Sequence, residues 1–130
     1  GAHGRLINKN EPQLICPTAS DKFTVNTSNG NGALTYPVGL ITEDEVAMAG
    51  GKSGTSNSSY YLYTSQSYWS GSPYYFGSDY SVAYGFRVYS SGDLYDYRVD
   101  YSGGARPVVS LSSKAKLLGN GTYSNPYTVS

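Results

Sequence analysis

Apolar and polar residues alternate most cleanly from Ser81 to Tyr89. Val82, Tyr84, Phe86 and Val88 share one parity and Ala83, Gly85, Arg87 and Tyr89 the other, the period-two pattern of a β-strand. Ser90-Ser91-Gly92-Asp93 reads as a turn. Leu94 to Tyr101 follows with poor alternation, because Tyr95, Tyr97, Val99 and Tyr101 share a parity that Leu94 lacks. Either Leu94 or Val99 does not point inward, or the strand breaks into loop between them. Shorter strands are predicted at Phe23-Thr24-Val25, at Tyr60-Tyr61-Leu62-Tyr63 and at Tyr68-Trp69. Ala105 to Leu111 reads as a strand whose Pro107 marks an edge or a bulge. Asn120-Gly121 predicts a turn before a last strand near Tyr127-Thr128-Val129.

One helix interrupts this β pattern. After the apolar run Tyr36 to Ile41, Thr42 can cap a helix while Glu45, three residues on, closes a capping box. Glu43, Asp44 and Glu45 sit where the helix dipole favours negative charge, and Gly50 supplies the left-handed exit. The main helix is therefore expected near Glu43 to Ala49. Three adjacent acids also suggest a metal or acid-base site, but their place in the first helical turn explains them structurally. The expected fold class is α+β, mostly antiparallel β with one or two short helices, in a single domain over residues 5–130.

Charge and rare residues narrow the function. Nine basic and nine acidic side chains cancel, which argues against a nucleic-acid binder relying on a basic surface. No apolar run approaches the ~20 residues of a membrane span, so no membrane contact by this segment is expected. Gly1-Ala2-His3-Gly4 has the look of a foreign leader, and its His3 is the only histidine. Without it, no His-dependent triad or His-based zinc site is possible. Cys16 is the only cysteine; it reads as a small buried thiol or one whose partner lies in an upstream segment. No enzyme activity, metal or cofactor is expected.

The unusual feature is fifteen tyrosines. Residues 60–101 hold twelve of them with eight Ser, four Gly and four Asp, and no Lys or Glu. Large rings that freeze few torsions, beside small adaptable polar residues, are the composition of a binding surface. The alternative is a Tyr- and Ser-rich β domain whose rings are cross-strand pairs. Asp93, Asp96 and Asp100 could be read as calcium ligands or a glycosidase pair, but they sit in no calcium-loop pattern and Arg98 lies between Asp96 and Asp100. Trp69 and the tyrosines could also stack sugar rings, which keeps a lectin as the alternative.

Three segments resemble a known series. Tyr68-Trp69-Ser70-Gly71-Ser72-Pro73, Gly103-Gly104-Ala105-Arg106-Pro107-Val108-Val109-Ser110-Leu111 and Gly119-Asn120-Gly121-Thr122-Tyr123-Ser124-Asn125-Pro126-Tyr127 are similar, in order and spacing, to motifs of bacterial surface domains with a C-type-lectin fold. Leu34 to Thr42 with Asp44-Glu45-Val46 resembles the segment preceding them. Within that group the Tyr-rich region, about residues 68–103, resembles the variable region of diversity-generating-retroelement variable proteins. There, randomised adenines turn AAY codons into NNY codons, which never encode Lys, Glu, Gln, Met or Trp. Tyr74 to Ser102 contains none of these five; it departs from the pattern in holding no Asn, the residue of an unmutated AAY codon.

The resemblance implies a C-type-lectin-like receptor or adhesin domain, extracellular or on a bacterial or phage surface, forming the C-terminal part of a longer protein. Its partner would be a protein or glycan on a cell or phage surface, with no nucleic acid involved and no calcium carried over. The helix, Trp69 and the Ala105 to Leu111 strand would be scaffold. Tyr74, Tyr75, Asp79, Tyr80, Tyr84, Tyr89, Tyr95, Tyr97, Arg98, Asp100 and Tyr101 would form the ligand-binding surface, with Arg98 as its charged anchor. Arg106 is expected to bond the scaffold instead.

Overall fold

A computed structural model describes residues 1–78 and 81–130. The chain is a mixed α+β domain in which strands outnumber helical segments. Strand β1 (Gly39–Leu40) leads into helix α1 (Glu43–Ala49), followed by β2 (Tyr68–Gly77), β3 (Val82–Val88) and β4 (Leu94–Arg98). Four two-residue strands close the chain: β5 (Gly104–Ala105), β6 (Pro107–Val108), β7 (Leu117–Leu118) and β8 (Thr128–Val129). The main sheet runs β4-β3-β2-β5, antiparallel except for the parallel β2–β5 pair, while β1–β6 and β7–β8 are separate antiparallel ribbons.

Local chemistry sets α1. Thr42 Oγ1 accepts from the Glu45 backbone N–H at 3.3 Å, and the Glu45 carboxylate accepts from the Thr42 N–H at 2.8 Å, so the capping box forms. Gly50 ends the helix at φ 122°, a conformation that excludes ordinary side chains. Seven residues cannot hold a helix in water alone. Burial of Val46 against Ile41, Tyr60, Tyr68, Val88 and Leu94 docks it on the inner face of the sheet.

The β3–β4 hairpin follows the alternation, closed by Tyr89 N–H donating to the Asp93 carbonyl at 3.0 Å and by Gly92 in the turn. Leu94 is inward and Val99 is exposed, because β4 ends at Arg98 and the chain turns before Val99. β2 is longer than the Tyr68-Trp69 pair predicts, and its register slips between Trp69 and Pro73 and again between Pro73 and Tyr75. Pro73, without an N–H to give the ladder, sits between those irregularities.

Three expected strands differ. Phe23-Thr24-Val25 is irregular: Thr24 Oγ1 donates to the Asn26 carbonyl at 2.6 Å, bending the chain where a ladder would need it straight. Tyr60 to Tyr63 is a turn, closed by Tyr63 N–H to the Tyr60 carbonyl at 2.9 Å, which buries Tyr60 and leaves Tyr61 outside. Ala105 to Leu111 divides at Arg106, with β5 adding to the main sheet and β6 pairing with β1. Among the described residues no helix is long and apolar enough to cross a membrane.

Candidate functional site

Register decides which tyrosines meet. Trp69 of β2 pairs with Arg87 of β3, which pairs with Tyr95 of β4; in the next row Pro73 pairs with Gly85 and Gly85 with Tyr97. Residues in register share a face, and this is the face opposite Tyr68, Val88 and Leu94. Gly85 has no side chain to fill its row; a Cβ there would lie 3.5 Å from the Trp69 ring. The Trp69 and Tyr97 rings come together over that space, with centroids 6.4 Å apart. Tyr97 also meets Tyr101 edge-on at 5.0 Å and Tyr89 at 6.5 Å, and Tyr89 meets Tyr95 at 6.0 Å. Trp69, Tyr89, Tyr95, Tyr97 and Tyr101 thus form one connected aromatic platform.

Arg87 lies in its middle. Its guanidinium carbon is 5.0 Å from the Tyr97 ring centre, 5.5 Å from Trp69 and 5.9 Å from Tyr89, all within cation–π range. The Arg87 side chain makes no ion pair or hydrogen bond among the described residues, and its Nε is buried without a partner. Sequence reasoning passed over this residue; its alternation in β3 opposite Phe86 and Val88 was the available signal.

The expected anchor, Arg98, is differently placed. It grips Asp100 through Nε at 3.1 Å and Nη2 at 2.6 Å, and lies 5.6 Å from the Tyr101 ring centre. That pairing holds the exposed Asp100 carboxyl below the usual carboxylate range. Both side chains remain open to solvent, but their charges are spent on each other.

Tyr74, Tyr75 and Tyr84 form a second group. The slip at Pro73 to Tyr75 turns two consecutive tyrosines toward β3, so Tyr74 packs edge-on against Phe86 at 4.8 Å and Tyr75 stacks on Tyr84 at 4.6 Å. The other side of Tyr74 meets the His3 ring at 4.6 Å. Tyr74 is half-buried, and desolvation raises its hydroxyl pKa. Tyr75 is exposed, as is its neighbour Phe76, which the sequence reading did not select. Asp79 and Tyr80 lie outside the described residues. The expected site residues therefore divide into two clusters joined through β3.

Trp69 is half-buried and belongs to the platform; Tyr68, one residue earlier, is the buried ring. Parity explains the correction, since neighbours in a strand face opposite ways. Arg106 is tied to the scaffold, donating to the Leu62 carbonyl and lying 4.8 Å from the Tyr68 ring centre. Beside the platform a cleft of about 930 Å³ opens between the sheet and the N-terminal segment, with Trp69, Gly85 and Val99 on one side and Leu14, Ile15 and Phe23 on the other. Cys16, partly exposed, also lines it, its thiol 3.4 Å from the Thr18 carbonyl.

The three helix acids have three fates. Glu45 caps α1. Asp44 takes both Arg5 contacts at 2.8 Å and the Gln13 N–H at 2.8 Å. Glu43 is fully buried with neither carboxylate oxygen partnered, and desolvation pushes its pKa up to about 8, with the Asp44 charge adding to the rise. The nearby Ser70 hydroxyl donates to the Phe86 carbonyl at 3.3 Å. Among the described residues no group of three or more His, Cys, Asp or Glu side chains is arranged to hold a metal ion. No protein-family model, curated protein or solved structure matches the chain.

Proposed function

We propose that this is a C-type-lectin-like display domain of a surface receptor or adhesin, which binds a protein partner through its aromatic face and catalyses nothing. The observation that carries the reading is the connected platform of Trp69, Tyr89, Tyr95, Tyr97 and Tyr101. Tyr95 and Tyr101 are about half exposed. Rings in mutual contact are already ordered, so a partner gains contact area with little entropy lost. The apolar cleft at the Trp69 end extends the contact surface beyond the rings. The Tyr74 to Ser102 composition supports diversification of this same surface.

Two experiments test the reading. Sequencing the gene across its natural population should find amino-acid variation concentrated between Tyr74 and Ser102, with Tyr68 and Val88 constant. Uniform variation along the chain would remove the diversified part. Protein and glycan arrays probed in parallel should give protein hits that disappear in a Tyr95→Ser/Tyr97→Ser/Tyr101→Ser variant. Glycan hits with a defined sugar preference, set against a blank protein array, would make the domain a lectin.

A further inference from the structure

The four arginines of the chain divide three against one. Arg5 is paired with Asp44, Arg98 with Asp100, and Arg106 with the Leu62 carbonyl. Arg87 alone among them has neither carboxylate nor carbonyl within the described residues. Its Nε–H is buried without an acceptor, a donor that costs free energy until one arrives. The rings around it attract the cation but cannot neutralise it. Nor does the sheet offer an acid among the described residues: the register places Asp96 opposite Phe86 on the other face, Asp93 takes the Ser91 hydroxyl, and Asp100 is held by Arg98.

We propose that Arg87 is the anchor of the platform and that the surface takes an acidic protein segment, one of whose carboxylates closes on the guanidinium beside Trp69 and Tyr97. This rests on the protein-binding reading above and specifies its chemistry. A guanidinium fork matches a carboxylate in two parallel hydrogen bonds. The flanking rings lower the local dielectric and so strengthen that contact. A neutral sugar can accept from guanidinium N–H groups but brings no charge to neutralise the cation. A nucleic-acid strand needs a run of free cations, and among the described residues this face offers one.

Trp69 is the only tryptophan, so its emission reports on the site directly. The probe is an N-acetylated, C-amidated tetraglutamate peptide, with tetraglutamine, free N-acetylneuraminate and sodium sulfate at matched ionic strength as comparisons. Tetraglutamate should change Trp69 emission saturably and tetraglutamine should not. Arg87→Gln should weaken the tetraglutamate response at least about tenfold, the loss expected for one bidentate contact, while Arg98→Gln keeps it. Arg87→Lys, which preserves the charge without the fork, should fall between and covers the case in which Arg87→Gln fails to fold. Equal responses to tetraglutamine, or a full response in Arg87→Gln and Arg87→Lys, would overturn the proposal. Saturation by N-acetylneuraminate or sulfate in place of tetraglutamate would overturn the acidic-protein assignment. If array-identified protein partners are lost with the triple tyrosine variant but bind Arg87→Gln unchanged, the binding reading stands and this one falls.

Discussion

Trp69 and Arg87 are register partners across β2 and β3, and the guanidinium carbon sits 5.5 Å from the centre of the indole. The pair faces away from the core, so the indole contributes to a surface more than to the interior. Its neighbour Tyr68 takes the interior place, buried against Val88 and Leu94 with its hydroxyl donating to the Leu62 carbonyl at 3.0 Å.

Stability should follow that division. Tyr68→Ala empties a core site and should cost ~3–5 kcal/mol, as large aromatic truncations do. Trp69→Ala removes a ring that is already partly wet and should cost about 1–2 kcal/mol. Urea unfolding of the two variants checks the order. A larger loss for Trp69→Ala would place the indole in the core.

The triple variant Tyr95→Ser/Tyr97→Ser/Tyr101→Ser should stay folded. Tyr95 and Tyr101 are exposed, and only Tyr97 is half-buried among rings. The total cost should stay near 1–2 kcal/mol, since surface substitutions usually remain within about half a kcal/mol each. Thermal melts decide this; an unfolded triple variant would mean the rings hold the sheet together.

Helix α1 and the β3–β4 hairpin were legible in the sequence because their determinants are local. Thr42, Glu45 and Gly50 lie within one short segment, and the alternation from Val82 to Val88 meets its turn at Gly92. The mixed α+β class followed from the same features. Platform membership was not local: it depends on the β2 register, which slips twice around Pro73, so Trp69 could not be matched to Arg87 nor Tyr74 turned toward Phe86. Arg98 looked like an anchor because arginine is favoured at binding hot spots, yet Asp100, two residues away, takes up its charge. Glu43 was hidden for a different reason. A first-turn acid satisfies the helix dipole whether it faces water or the core, and only packing of α1 on the sheet decides.

Glu43 should give the domain an unusual pH dependence. Its folded-state pKa of about 8 stands above the ordinary 4.5, so between those values the folded chain holds a proton that the unfolded chain releases. Stability from this group is therefore full below about pH 4.5 and is lost as pH rises toward and through about 8, by at most ~1.4 kcal/mol per pH unit. Asp100, with its pKa lowered, acts in the opposite sense at acid pH. Subtracting the unfolding free energies of wild type and Glu43→Gln at each pH isolates Glu43. The difference should shift in favour of the variant from pH 5 to 8; a flat difference would show that the carboxyl is ionised and solvated.

Gly103 supports the platform from the side. It precedes β5, which runs parallel to β2, and a Cβ built on it would lie 2.7 Å from the Trp69 indole nitrogen and 3.0 Å from its Cδ1. Contacts that short require the ring or the β5 segment to move. The indole is the easier to displace, because one side is open to the cleft while β5 is held by the ladder to Tyr68 and Trp69. Gly103→Ala should therefore shift the Trp69 emission maximum to the red as the ring swings into water, with a stability loss of about 1–3 kcal/mol, the range for an overpacked contact. It should also weaken the response to tetraglutamate, because the ring beside Arg87 has moved although the guanidinium is untouched. An unchanged spectrum with a large loss of stability would mean that β5 gave way and the indole stayed, so that Gly103 serves the sheet and not the platform.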